Sequence, residues 1–192
     1  LKAFYAIIKS NDEHIRFAFL TGVTKFSKVS VFSGINNIVD ISLTPGFATV
    51  CGYTQHDLKT VFAKHLQGAD MKQIKAWYDG YYFMGDHVYN PFDILLFLDN
   101  GQQFKNYWFE TGTPAFLVKL LRQKRFFLPQ LTNIKAGEEL LTSFDIDKIS
   151  PITLLFQTGY LTIKSISQEE DMTEYTLGFP ISTWPCGGRL YQ

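Results

Sequence analysis

Three polar side chains at the end of a short apolar run have the types and spacing that could do chemistry. The run Phe17–Leu20 is followed by Thr21, Thr24 and Lys25. A continuous apolar run of this length predicts a strand buried on both faces of a parallel sheet, here over 16–20. Ligands of open α/β sheets lie at the carboxyl ends of such strands, so these hydroxyls and the ammonium fall where a ligand would bind. The alternative is that they only satisfy the polar groups of a turn.

The composition is that of a globular chain without a strong electrostatic field. Its 192 residues are 46% hydrophobic, which is enough for a buried core in one domain or two small ones. Lys+Arg and Asp+Glu both number 18, so net charge does not attract the chain to nucleic acid or to an anionic membrane. No apolar run is long enough to cross a bilayer, and we expect a cytoplasmic protein with no membrane partner. Cys51 and Cys186 are predicted to be free thiols, because two cysteines cannot build a disulfide framework.

Helix and strand signals are clearest from Thr54 onward. Thr54 and Asp57 have the spacing of a capping box, while Asp70 and Asn90-Pro91 have the residue types of helix starts. Helices followed by a two-stranded wing predict a winged-helix-like unit near the end of the chain. The predicted elements are a strand at 39–43, helices that begin at Thr54, Asp70, Asn90 and Thr113, a hairpin of 81–83 with 87–89, a helix over 151–158 and strands at 160–166 and 174–179.

Other residues with chemical potential have simpler explanations. Asp57-Leu-Lys59 and Asp70-Met-Lys72 match the acid-x-lysine pattern of metal-dependent nucleases, but each acid stands at a predicted helix start, where capping explains it. Asp145 and Asp147 have no third ligand, and the four histidines lack zinc spacing with cysteines, so we predict no metal site. No glycine is followed by lysine, so the sequence contains no phosphate loop.

The longer string from Phe19 to Ser33 resembles the AAA-ATPase-like family of bacterial proteins. It reads Phe19-Leu-Thr-Gly-Val-Thr-Lys-Phe-Ser-Lys-Val-Ser-Val-Phe-Ser33, and Asn36-Asn37 and Asp40-Ile-Ser42 follow it. Members of that family carry a P-loop ATPase module, commonly followed by a domain of the PD-(D/E)xK nuclease superfamily. Further matching blocks, which extend the resemblance over nearly all of residues 1–180, are Trp77-Tyr-Asp-Gly-Tyr-Tyr-Phe83, Val88-Tyr-Asn-Pro91, Tyr107-Trp-Phe-Glu-Thr-Gly-Thr-Pro114 and Leu154-Leu-Phe-Gln-Thr-Gly-Tyr-Leu-Thr-Ile163.

The resemblance implies an α/β fragment followed by a mostly helical part. Residues 1–50 would be the C-terminal portion of the ATPase α/β core, at the end of a P-loop AAA-type sheet. Residues 51–125 would form a helical lid with a short hairpin, 126–180 a winged-helix-like unit, and 181–192 an irregular tail. In the family, the phosphate loop and the magnesium-binding acids lie N-terminal to the segment at which this chain starts. We therefore expect a fragment of a parent that uses ATP and magnesium, with no nucleotide or cofactor bound by the fragment alone.

The resemblance also suggests roles for the three polar residues at the predicted strand end. Thr21 and Thr24 match the position where ATPases of this broad class place a polar sensor, and Lys25 would add a cation. Such groups contact the γ-phosphate or the attacking water and stabilise the charge that develops in phosphoryl transfer.

A binding module is the competing class of function. In that hypothesis the winged-helix-like unit contacts nucleic acid or another protein without hydrolysing ATP. A predicted helix supplies Lys119, Arg122, Lys124 and Arg125 for such contacts, although a cluster of this kind is also common on solvated helix faces. The dense aromatic residues of 77–83 have no interleaved basic residues and are better explained as core and interdomain packing than as base-stacking groups.

Overall fold

The computed structural model describes residues 7–22, 38–107, 133–137, 150–169 and 172–180. These residues form a small α/β fold with short helices and two antiparallel sheets. The helices are α1 (Gln55–Thr60), α2 (Met71–Tyr78), α3 (Pro91–Asp99) and α4 (Pro151–Gln157), and the strands are β1 (Asp79–Tyr82), β2 (His87–Tyr89), β3 (Ile134–Ala136), β4 (Thr162–Glu169) and β5 (Met172–Gly178); 3-10 turns occur at Asp12–His14 and Pro45–Phe47.

Neither of the first two predicted strands is present. Residues 16–20 and 39–43 contain no strand, and Phe17 is 79% exposed and Val39 is also 79% exposed. An extended run becomes a strand only when a neighbouring strand satisfies its backbone N–H and C=O groups. Within the described residues neither segment has such a neighbour, so the apolar pattern of Phe17–Leu20 is not accompanied by burial.

The predicted helix caps at Thr54, Asp70 and Asn90 are confirmed, whereas the helix start predicted at Thr113 lies outside the described residues. At the start of α1, the Asp57 amide donates to Thr54 Oγ1 at 3.1 Å and the Thr54 amide donates to Asp57 Oδ2 at 2.7 Å, which completes the capping box. Asp70 likewise accepts hydrogen bonds from the amides of Lys72 and Gln73 in the first turn of α2, and Asn90 accepts one from the amide of Phe92 in the first turn of α3. Leu58 and Val61 have the spacing of one apolar helix face, but Leu58 is buried whereas Val61, which follows the last residue of α1, is 69% exposed.

The predicted hairpin is also confirmed, with β1 starting earlier than expected. The two strands pair antiparallel from Asp79 opposite Tyr89 to Tyr82 opposite His87. Strand β1 starts early because the chain passes directly into it from the end of α2. The hairpin turn packs closely on an earlier segment of the chain. A Cβ added to Gly85 would lie 2.5 Å from the Cβ of Ala48, so only glycine fits at this turn position.

The second sheet has the strand order β3-β5-β4, with all pairs antiparallel. Strand β3 was not predicted, because three residues are too few to show a periodic pattern. Helix α4 closes at Gly159, whose φ is +78°, and the amides of Tyr160 and Leu161 donate to the carbonyl of Leu155 at 2.8 and 3.1 Å. These closing bonds place the start of β4 at Thr162, later than the sequence suggested.

Two hydrophobic cores lie on either side of the hairpin. The helical core is packed by α1, α2 and α3, and the sheet core lies between α4 and the three-stranded sheet. Buried side chains of the helical core are Leu58, Leu66, Ile74, Tyr78, Tyr89, Ile94, Phe97 and Tyr107. Those of the sheet core are Ile134, Ala136, Leu154, Leu155, Leu161, Ile163, Tyr175 and Leu177.

The β1–β2 hairpin contacts both cores. Tyr89 on β2 is part of the helical core, whereas Tyr82 and Met84 pack against the sheet core. The backbone amide of Tyr82 donates to Thr162 Oγ1 on β4 at 3.0 Å, so a hydrogen bond joins the hairpin to the second sheet. The hairpin is therefore the structural connection between the helical and the sheet parts of the described chain.

Candidate functional site

The structure describes one of the three residues at the predicted strand end. Thr21 is exposed and belongs to a segment without regular secondary structure. Thr24 and Lys25 lie outside the described residues, as does the cluster from Lys119 to Arg125. Their arrangement around a common ligand therefore remains a prediction.

A groove lies where the hairpin meets β4. It consists of two adjoining hollows of about 380 and 320 Å³, which share His87 and Lys164 in their walls. The first is also lined by Tyr82, Ser165 and Ile166, and the second by Lys75, Ala76, Asp79, Gly80 and Pro180.

Asp79 is the carboxylate in the wall of the second hollow. Its side chain is only 7% exposed, and Oδ2 lies 3.7 Å from Nζ of Lys75, one turn earlier on α2. Its other oxygen, Oδ1, is buried and has no hydrogen-bond partner among the described residues. A buried carboxylate is costly unless neighbouring cations and donors stabilise it, so Asp79 depends on the ammonium groups around it.

Lys164 is the second ammonium of the groove and lies on β4. Its Nζ donates to the carbonyl oxygen of Pro180 at 3.0 Å. Burial lowers the pKa of Lys164, and the negative charge of Asp79 opposes that change. The groove thus contains two ammonium groups beside one carboxylate. Their attraction stabilises the contact between the hairpin and β4, and the carboxylate partly neutralises the positive charge of the groove.

Sequence reasoning did not identify these groove residues. Lys75 is on α2, His87 is on β2 and Lys164 is on β4, so no local spacing connects them. Of Lys75, Asp79, His87 and Lys164, only Asp79 belongs to the aromatic block from Trp77 to Phe83 that the sequence analysis describes. Tertiary contacts alone bring the four together.

Tyr78 of the aromatic block Trp77–Phe83 packs inside the protein, as predicted. Tyr78 is 1% exposed, and its ring centroid lies 5.6 Å from that of Phe97 and 6.1 Å from that of Phe104. Its hydroxyl donates to the carbonyl of Lys105 at 3.1 Å, and burial raises the pKa of Tyr78 to about 12. This ring is enclosed by side chains and is not open for stacking on a nucleic acid base.

Carboxylates that matched a nuclease pattern by letter serve as caps. Asp57 caps α1 and Asp70 caps α2, and bonds from Thr54 lower the pKa of Asp57. In the described ranges no group of three or more His, Cys, Asp and Glu side chains could hold a metal ion. Asp145 and Asp147 fall outside those ranges. None of the described helices is both long and apolar enough to span a membrane.

Comparisons with known proteins found a family model and a relative that match this chain. A family model described as a predicted AAA-ATPase matches residues 1–32. A protein of Azotobacter chroococcum mcd 1, described as "Uncharacterized protein in vnfD 5'region", is 48% identical over 180 residues, which is 94% of this chain. The chain spans 35% of the length of that relative. No solved structure matches. Residues 1–32, which include all three residues of the predicted strand end, therefore carry the sequence signature of the AAA-ATPase-like family.

Proposed function

We propose that this chain is part of an AAA-type ATPase-like protein that binds and hydrolyses ATP. The observation that supports the proposal is the family match over residues 1–32, which contains the string from Phe19 except for its last residue, Ser33. The chain has no phosphate loop of its own, and it aligns with only 35% of a longer relative. In the proposed parent, another part of the polypeptide supplies the phosphate loop and the acids that hold magnesium with ATP.

The proposal divides the chain into parts with different roles. Residues 1–50 complete the ATPase α/β core, 51–125 form the helical lid, 126–180 form a winged-helix-like unit and 181–192 form an irregular tail. The helices and hairpin within 51–107 support a lid. The strand order β3-β5-β4 supports a winged-helix-like unit. Strand β3 precedes helix α4 in the chain, β4 and β5 follow the helix as a hairpin, and β3 pairs with β5.

The proposed chemistry of Thr21, Thr24 and Lys25 is electrostatic. Thr21 is exposed at the end of the apolar run, where its hydroxyl is accessible to a ligand, and Thr24 and Lys25 follow within four residues. Hydroxyl groups there would orient the attacking water or contact the γ-phosphate, and the ammonium would stabilise the charge that builds up on the phosphate oxygens. Groups that meet charge mainly in the transition state change turnover more than affinity.

The test uses the longer protein that contains this chain together with its phosphate loop. We expect Thr24→Ala and Lys25→Ala to lower kcat for ATP hydrolysis by about a hundredfold, with little change in the Kd for ATP. Lys28→Ala, a matched change in the same segment, should leave kcat unchanged. Parental rates in both variants would refute the sensor assignment, whereas absence of ATP hydrolysis by the parent itself would refute the ATPase proposal.

The second candidate function is nucleic acid binding without catalysis, which the strand order of the sheet part favours. Cations that bind phosphates release counterions, so such binding weakens steeply as salt rises. We expect the cluster of Lys119, Arg122, Lys124 and Arg125 to be a solvated helix face, because the chain has no net positive charge. A variant with all four replaced by Gln should then retain DNA as the wild type does at low salt. Strong wild-type retention that the variant loses would instead establish the binding module.

A further inference from the structure

We propose that the β1–β2 hairpin is a coupling element that makes the helical core and the sheet core open and close as one cooperative unit. The inference does not depend on the ATPase proposal. It rests on what the hairpin contacts on each side and on how little stability the hairpin has by itself.

The first contact is a reciprocal hydrogen-bonded joint. Thr162 Oγ1 accepts from the backbone amide of Tyr82 at 3.0 Å and approaches the Tyr82 carbonyl at 3.4 Å, and Thr162 is 1% exposed. A hydroxyl can accept one bond and donate another, so this single side chain takes the place of a strand neighbour for the end of β1. Because the site is buried, water cannot replace the bond when it is lost.

The second contact is apolar and lies at the hairpin turn. Met84, at a φ of +70°, packs against the sheet core together with Tyr82. On another side the turn is pressed against Ala48, where Gly85 leaves no room for a side chain. The sheet core and the segment that contains Ala48 therefore both determine the position of the turn.

The third contact is electrostatic and spans the joint. Lys75 is on α2, Asp79 is the first residue of β1 and Lys164 is on β4, and all three lie in the wall of the same groove. Separation of the two sides would remove Lys164 from the neighbourhood of a carboxylate whose side chain is only 7% exposed. The charges thus favour the closed joint.

A two-stranded hairpin of this size is not stable without support. Strand β2 has three residues, and isolated hairpins are marginal in water. The side chains of the hairpin pack on different cores, with Tyr89 buried in the helical core and the partly buried Tyr82 against the sheet core. If either core unfolds, the hairpin loses the contacts with that core and becomes disordered. The disordered hairpin then no longer packs against the other core.

Hydrogen exchange tests the coupling, with a mild perturbation placed in the sheet core. Ile163→Val removes one methylene from a residue that is 1% exposed, which should speed exchange of β4 and β5 amides by about two- to tenfold. If the cores are coupled, amides of α2 and α3 accelerate by a similar factor. Unchanged exchange in α2 and α3 would overturn the proposal.

The same perturbation in a second background tests the hairpin joint itself. Thr162→Val keeps the shape of the side chain and removes the hydroxyl, so Ile163→Val should then affect α2 and α3 less than it does in the wild type. Thr60→Val is the matched control, because the Thr60 hydroxyl bonds only within its own helix, to His56 O at 2.8 Å. Thr162→Ser retains the hydroxyl and should preserve the coupling. Full transmission in the Thr162→Val background would refute the role of the joint.

Discussion

The helical core and the sheet core are stabilised by different kinds of side chain. In the helical core, buried tyrosines bring hydroxyls that need partners: Tyr78 donates to the Lys105 carbonyl at 3.1 Å, and Tyr89 donates to Gln55 Oε1 at 2.7 Å. In the sheet core, most buried side chains are aliphatic and carry no polar atom. The helical core therefore combines burial with directional bonds, whereas the sheet core combines burial with the backbone ladder between its strands.

This difference indicates which changes each core tolerates. A hydroxyl bond is made only in one arrangement, so the aromatic side chains specify how α1, α2 and α3 fit together. The ladder of β4 with β5 runs from Thr162 opposite Gly178 to Glu169 opposite Met172 and does not depend on any one side chain. Loss of a polar atom should thus be felt mainly in the helical core, and loss of volume in both.

The largest expected effect is truncation of a fully buried side chain in each core. Phe97 and Leu177 are both 0% exposed. We expect Phe97→Ala to lower the free energy of unfolding by about 3–5 kcal/mol and Leu177→Ala by about 2–5 kcal/mol, because each leaves a cavity. Denaturant titrations measure both. Phe47→Ala, at a residue that is 47% exposed, should stay within about 0.5 kcal/mol. Truncations that cost no more than this control would break the comparison.

An intermediate effect is expected from removal of one buried hydroxyl. Tyr78→Phe breaks the bonds with the carbonyl and the amide of Lys105, at 3.1 and 3.2 Å, and should cost about 1–3 kcal/mol. The same variant should also reduce alkaline sensitivity. Burial raises the pKa of Tyr78 to about 12, so the folded state keeps a proton that the unfolded state loses near pH 10. This contribution is complete below about pH 10 and is lost as pH rises through the folded value.

Unfolding titrations from pH 8 to 12 measure that contribution. The wild type should lose stability more steeply with pH than Tyr78→Phe. Tyr160, which packs against the sheet core, also has a pKa raised by burial to about 12, so some alkaline loss should remain in the variant. Parallel curves for the two proteins would show that Tyr78 does not contribute to the pH dependence.

The smallest effect is expected at an exposed ion pair on the sheet. Lys135 on β3 pairs with Glu174 on β5, and the two side chains are 57% and 46% exposed. Solvent and salt screen such pairs, so Lys135→Met should change stability by no more than about 1 kcal/mol at low ionic strength. The difference from the wild type should shrink further in 1 M salt. A larger loss that salt does not reduce would show that Lys135 acts through packing of its aliphatic stem.

Local signals in the sequence predicted many of the helices and strands that the structure describes after Thr54. The caps at Asp70 and Asn90 are confirmed, because they depend on residues only two or three positions apart. The strand predicted at 16–20 is wrong, because an apolar run shows a tendency to be buried but not whether a partner strand is present. Strand β3 was missed for the opposite reason, since its pairing with β5 orders a segment with no local signal.

The candidate sites follow the same division. The contiguous sequence from Phe19 to Ser33 was enough to suggest the AAA-ATPase-like family, and the family match over residues 1–32 agrees with it. The groove of Lys75, Asp79 and Lys164 was not predictable, because its members come from distant positions. Caps, turns and sequence signatures are local, so the sequence by itself determines them. The meeting of the hairpin with β4, and the charges it brings together, depends on burial of both cores at once, and only the tertiary structure decided it.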